Sequence, residues 1–214
     1  MKTILYINAC MRGEEVSRTG RLARAFLEAC RKRNPDLMIK ERNVLDSALP
    51  VLTGALAEKR DQTFRENPHD SMFDAAWEMA GADLIVIAAP YWDLTFPAAL
   101  KVYLEWCSIL GITFHYTREG KQEGLCRAEK LVYITTAGGI IGNQNYGYEY
   151  IRGLGGMFGI HDSAWLSAEG LDIQENDPEE IMREAEKEAA RLADMYLNGS
   201  TGVNPEQEKT WPIS

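Results

Sequence analysis

The sequence predicts an α/β fold: a doubly wound, five-stranded parallel sheet in the order 2-1-3-4-5, with helices on both faces. Three observations predict it. Short β-rich or apolar runs alternate along the chain with longer segments of helical period. One run, "ADLIVIAAP" (residues 82–90), is apolar without alternation, the mark of a parallel strand covered on both faces. The length, 214 residues, suits one such sheet better than the longer two-halved dinucleotide fold.

The elements follow in chain order. "TILYIN" (3–8) is β-rich and predicts the first strand; its apolar part is short and contains Asn8, which argues against a signal peptide. Residues 17–33 predict a helix with Leu22, Phe26, Leu27 and Cys30 on one face. "LMIKERNV" (37–44) alternates like an edge strand with one wet face. Residues 50–80 predict two helices and a loop around "ENPHD". After the 82–90 strand, residues 97–110 predict a helix, and "KLVYITTAGG" (130–139) a strand ending in a glycine turn. Residues 145–158 predict a helix and "DSAWLSAEG" (162–170) the fifth strand. "DPEE" starts a last helix over 177–198, with an Asp cap, Pro at the first helical position and acids in the first turn. The domain is expected over 1–198, with 199–214 a polar tail, loose or docked through Trp211.

Composition narrows the function classes. The net charge is −9, from 32 acidic against 23 basic residues, which disfavours a nucleic-acid partner. No run of about 18 apolar residues is present, so no membrane span is expected. Cys10, Cys30, Cys107 and Cys126 are scattered, as are His69, His115 and His161. Reduced thiols, a cytoplasmic location and no metal site are the expectation.

Ligands of such sheets sit beyond the carboxyl ends of the strands, where the strand order reverses. That rule selects three loops. The first, residues 9–19, carries Ser17 and Thr19 at a helix N-terminus with Arg12 and Arg18 nearby, a seat for one phosphate. The plain alternative is a Ser N-cap on an ordinary helix, and Glu14 and Glu15 argue mildly against an anion. With one glycine, Gly13, and no GxGxxG, a dinucleotide turn is not indicated. The second loop, "PYWDLTFP" (90–97), places Tyr91, Trp92 and Phe96 between two stiffening prolines, either capping the sheet or forming a shelf for a flat ring. In the third, residues 136–146, Gly138 and Gly139 allow close backbone approach, or simply mark a turn. Tyr146 and Tyr148 would wall that pocket. A phosphate seat, an aromatic shelf and a glycine turn meeting at one edge are what a flavin mononucleotide needs, and FMN is the cofactor expected.

"SRTGRLARAF", "APYWDLTFPAALKVYLEW", "GITFHYT" and "ITTAGG" resemble the FMN-dependent NADH:quinone oxidoreductases known as azoreductases, within the flavodoxin-like quinone reductases. The resemblance runs from Thr3 to about Asn198. It implies a flavodoxin-like fold, FMN as cofactor, NADH or NADPH as co-substrate, and a homodimer. It places the FMN phosphate on Ser17, Arg18 and Thr19, and the ring beside Pro90, Tyr91, Trp92, Asp93 and Leu94. It sets Thr136, Ala137, Gly138 and Gly139 near the ring's pyrimidine end. Departures from the family's pattern are Ala9 for a serine, Asp93 for an asparagine, Ala137 for an arginine, and Gly142-Asn143-Gln144 where a histidine is common. They suggest a divergent subgroup and bear on the electron acceptor more than on FMN.

The 97–110 helix carries two apolar stripes, one of Leu100, Tyr103, Leu104 and Cys107, the other of Ala99, Val102, Trp106 and Ile109. A helix on a sheet needs only one. The second is expected to meet either residues 113–125 of the same chain or a second copy, as the resemblance implies. A second copy would bring Phe114, His115 or Tyr116 over the flavin. The reaction expected is ping-pong transfer of electrons from NADH or NADPH through FMN to a quinone or azo compound. No side chain is required as an acid, and His115 and Tyr146 are candidates for substrate contact. A flavodoxin-type electron carrier and a binding module without redox activity are the alternatives.

Overall fold

The structure, a computed structural model, describes residues 2–13 and 16–197; the tail and Trp211 lie outside the described residues. The strands are β1 (Thr3–Asn8), β2 (Met38–Asn43), β3 (Leu84–Ala88), β4 (Phe114–Tyr116), β5 (Gln122–Gly124), β6 (Lys130–Thr136) and β7 (Asp162–Ala168). The helices are α1 (Arg18–Arg33), α2 (Gly54–Glu66), α3 (Asp74–Gly81), α4 (Ala98–Cys107), α5 (Tyr146–Met157) and α6 (Pro178–Leu197), with a short 3₁₀ turn at Ser71–Phe73.

The five-stranded sheet runs β2-β1-β3-β6-β7, all parallel. Leaving aside the separate hairpin β4–β5, this is the 2-1-3-4-5 order expected from the sequence. Alternation along each strand sends side chains to opposite faces. Ile4, Tyr6, Val86, Val132 and Ile134 pack under α1 and α6, through Leu22, Phe26, Met182 and Ala189. Leu5, Ile7, Ile85, Ile87 and Tyr133 pack on the other face, against Met79 of α3, Leu100 and Leu104 of α4 and Ile151 of α5.

The caps explain where the helices begin. Ser17 Oγ accepts from the Gly20 N–H (3.0 Å), so Ser17 does cap α1. Asn145 Oδ1 accepts from Tyr148 N–H (3.0 Å) at α5. Asp177 Oδ1 accepts from the N–H groups of Glu179 (2.9 Å) and Glu180 (3.2 Å) at α6, as "DPEE" foretells. Edge strand β2 is exposed on much of both faces because its cations serve as tethers: Glu78 of α3 pairs with Lys40 (2.7 Å) and with both arms of the Arg42 guanidinium.

The second stripe of α4 is covered in part by its own chain. Trp106 is buried and its Nε1 donates to Pro50 O (2.8 Å), while Ile109 packs with Phe73, Ala76 and Ile112. Within the chain these two side chains are thus covered by residue 50 and by the segment before β3, and Thr113 Oγ1 accepts from the Ile109 N–H (3.1 Å). Ala99 and Val102 stay half-buried, and beyond the helix Leu110 is exposed.

All four cysteines are free, and Cys10, Cys30 and Cys107 are buried. Burial pushes the Cys30 and Cys126 thiols up to about 12, and raises those of Cys10 and Cys107 too, so none is poised as a nucleophile. Among the described residues no helix is long and apolar enough to cross a membrane.

Candidate functional site

A cleft of about 280 Å³ opens at the carboxyl edge of the sheet. Its walls come from all three loops selected from the sequence: Ser17, Arg18 and Thr19; Pro90, Tyr91 and Trp92; Thr136, Ala137 and Gly138. These loops meet because β1, β3 and β6 are neighbours and end at one level. Ala9 N–H donates to Ala88 O (2.8 Å), Ala89 N–H to Ile134 O (3.0 Å) and Tyr91 N–H to Thr136 O (3.0 Å), so the ladder continues past the strand ends and locks the loops in register.

At one end of the cleft lies the first turn of α1, where backbone N–H groups fall outside the helical ladder and the dipole is positive. Arg12, Arg18 and Ser17 line this end. Thr19 is buried, and its hydroxyl lies 2.6 Å from that of Thr136, so the pair clamps α1 to β6 at the cleft wall. Ala9 is fully buried in the apolar cluster beneath α3, α4 and α5 and does not line the cleft.

The second loop supplies the shelf. Trp92 N–H donates to Thr95 O (3.2 Å) and Thr95 N–H to Trp92 O (2.8 Å), closing a two-residue turn. Its central residues, Asp93 (φ 47°) and Leu94 (φ 68°), are both left-handed, the backbone of a type I′ turn. Asp and Asn tolerate this conformation; Leu does not, and is strained there. The turn leaves Trp92 45% exposed at the mouth while Asp93 and Leu94 point past the cleft into solvent. Tyr91 Oη donates to Gln144 O (3.0 Å), tying the second loop to the third. Burial, with Tyr146 and Glu169 nearby, pushes the Tyr91 phenol up, so it remains a donor at neutral pH.

The third loop is held by a neighbour the sequence reading left out. Residues 169–177, after β7, lie along it: Gly170 N–H donates to Gly139 O (2.9 Å), Leu171 N–H to Ala137 O (3.2 Å) and Asp172 N–H to Gly138 O (2.9 Å). A Cβ at position 138 would meet Asp172 Oδ2 at 2.3 Å, so a larger residue there would require the Asp172 side chain to move. The carbonyls of Gly138 and Gly139 are thereby used, while their N–H groups have no acceptor among the described residues. Met11, Val16, Leu171 and Asp172 complete the wall, and Asp172 pairs with Arg18 across the cleft (2.7 Å). The same strand-end rule, applied to the fifth strand as well, would have found Leu171 and Asp172.

Tyr146 is half-exposed near Tyr91, outside the wall itself. His115 is not brought to the cleft of its own chain. It sits on β4, 3.4 Å from Glu123 of β5, and that hairpin packs by Gly124 against Phe158, where α5 ends, at the amino side of the sheet.

Fold and cleft together define a doubly wound α/β protein whose binding crevice lies at the strand switch point. Residues 2–192 match the family described as having a flavodoxin-like fold. The chain is 35% identical over 202 residues to the FMN-dependent NADH:quinone oxidoreductase of Clostridium perfringens, covering 92% of this chain and all of that one. It is 36% identical over 200 residues to a protein of the same name from Lachnoclostridium phytofermentans, covering 90% and 98%. The crystal structure of an azoreductase from Bacillus anthracis superposes with a TM-score of 0.77 at 25% identity, covering 91% of this chain and 99% of that one. The chain belongs to the flavodoxin-like fold family and, within it, to the family of the FMN-dependent NADH:quinone oxidoreductases.

Proposed function

We propose that this protein is a flavin-dependent oxidoreductase that passes electrons from NADH, by way of FMN held in the cleft, to quinones or azo compounds. The observation that carries this reading is the convergence of a cationic helix N-terminus, an aromatic shelf and the glycine turn at Gly138 on one cleft. The names of the relatives support the cofactor, the co-substrate and the acceptors. They also favour an enzyme over an electron carrier or a redox-silent module of the same fold.

The residues present fit the group. Arg12, Arg18, Ser17 and the first N–H groups of α1 would hold the phosphate, by charge and by directed donors. Pro90, Tyr91 and Trp92 would lie against the ring, with Asp93 and Leu94 forming the turn that aims Trp92. N–H groups at Gly138 and Gly139 would donate to the pyrimidine edge, where they favour developing negative charge. FMN, when bound, supplies the hydride chemistry that links NADH to the acceptor. The protein's own part is to orient, to shield one face from water and to stabilise charge. Thr136 and Ala137, which line the cleft, would lie beneath that edge, and the exposed Tyr146 would meet the substrate.

A homodimer belongs to this proposal. Trp92, Leu94, Ile140, Tyr146 and Tyr150 are exposed, on the turn after β3, the loop after β6 and the start of α5. Covering them with a second copy would remove apolar surface from water and could bring the partner's hairpin, with His115, to the mouth. A reducing, cytoplasmic setting fits four free thiols. The test is steady-state kinetics with NADH, added FMN and p-benzoquinone. Parallel double-reciprocal lines are expected; no quinone-dependent oxidation of NADH would remove the reading. NADPH in place of NADH settles the nicotinamide preference.

A further inference from the structure

Arg18 lies at the phosphate end of the cleft, yet its Nη1 donates to the Asp172 carboxylate (2.7 Å), which also lines the cleft. A carboxylate is an odd neighbour for an anion seat. Its place is fixed by backbone: Asp172 N–H donates to Gly138 O (2.9 Å), and Leu171 N–H to Ala137 O (3.2 Å). The side chain rests over Gly138, whose lack of a Cβ leaves it room. The pair joins the α1 N-terminus to the loop after β7, and both residues line the cleft.

Two opposite roles are open to such a carboxylate, and magnitudes choose between them. As a brace it would orient Arg18 and help phosphate binding. But the contact is a single hydrogen bond between side chains 44% and 68% exposed, and exposed pairs of this kind are worth roughly a fivefold effect at most. As a competitor it places a negative charge about 5 Å from any phosphate sharing the same guanidinium. Repulsion of a dianion at that separation amounts to about tenfold even at the dielectric of water, before salt screening. At low salt, where screening is weak, repulsion is the larger effect.

Resting on the FMN reading above, we infer that Asp172 is a specificity-determining residue that competes with the flavin phosphate for Arg18. It keeps FMN from binding as tightly as the rest of the seat allows, and narrows the margin by which FMN is preferred to riboflavin. An exposed carboxylate gives up its partner at little cost to the fold, so the guanidinium is free to transfer.

The test is flavin fluorescence quenching by the whole chain and by Asp172→Asn, which preserves shape and removes charge, titrated with FMN and with riboflavin at low and high salt. The competition predicts that Asp172→Asn binds FMN about tenfold more tightly at low salt, with the gain shrinking at high salt and riboflavin unchanged. Arg18→Ala should weaken FMN and leave riboflavin alone. Equal or weaker FMN binding by Asp172→Asn, with an unchanged melting curve, overturns the competition and leaves the FMN assignment standing. If neither protein binds either flavin, the cofactor assignment falls and the competition with it.

Discussion

The hydroxyls of Thr19 and Thr136 lie 2.6 Å apart, buried where α1 begins and β6 ends. This one contact joins the first loop of the cleft to the third. Thr136→Val leaves the Thr19 hydroxyl buried without a partner, at a cost of about 1–3 kcal/mol. The double variant with Thr19→Val removes both polar groups and should regain part of the loss. Urea unfolding of the two single variants and the double variant measures this coupling. Fully additive losses would show that the hydroxyls do not act as a pair.

The turn that presents Trp92 is strained at Leu94 (φ 68°). Glycine adopts that backbone freely, so Leu94→Gly should stabilise the fold by about 1 kcal/mol, a rise of roughly 2–4 °C in Tm. A thermal melt reads it directly. A fall in Tm would mean that the Leu94 side chain contributes more through contacts than its backbone costs.

Glu78 carries a pH signature. Burial alone would raise its carboxyl, but hydrogen bonds and charge from Arg42 and Lys40 outweigh burial and hold it below the ordinary carboxylate range. The folded value lies below the unfolded one, so the stabilisation is present above the unfolded value and is lost as pH falls through the folded one. Glu78→Gln should therefore cost about 1–3 kcal/mol at pH 7, and the gap to the parent protein should close in acid. Denaturant unfolding at pH 7 and in acid checks it; a gap that widens in acid would contradict the sign.

Much of this was legible in the sequence, and the exceptions have physical causes. The β3 segment reads as a covered parallel strand because Leu84 to Ala88 are all buried, a pattern only two-sided packing produces. Ser17 and Asp177 announce their helices through local chemistry. The β4–β5 hairpin escapes because Phe114–Tyr116 and Gln122–Gly124 are too short to show a period. Periodicity reveals two apolar faces on α4 but not their partners, and Trp106 meets residue 50 of its own chain. The strand-end rule, extended to the fifth strand, reaches Asp172, but its pairing with Arg18 and its place along Gly138 rest on contacts between residues far apart in the chain.

The central claim is that the cleft between Ser17, Trp92 and Gly138 holds a flavin that NADH reduces. The most direct measurement is the visible absorbance of the purified chain mixed with FMN, freed of excess cofactor and titrated anaerobically with NADH. The account predicts a retained flavin spectrum that bleaches with one equivalent of NADH and returns when quinone is added. A chain that emerges colourless, or a bound flavin that NADH leaves oxidised, would contradict it.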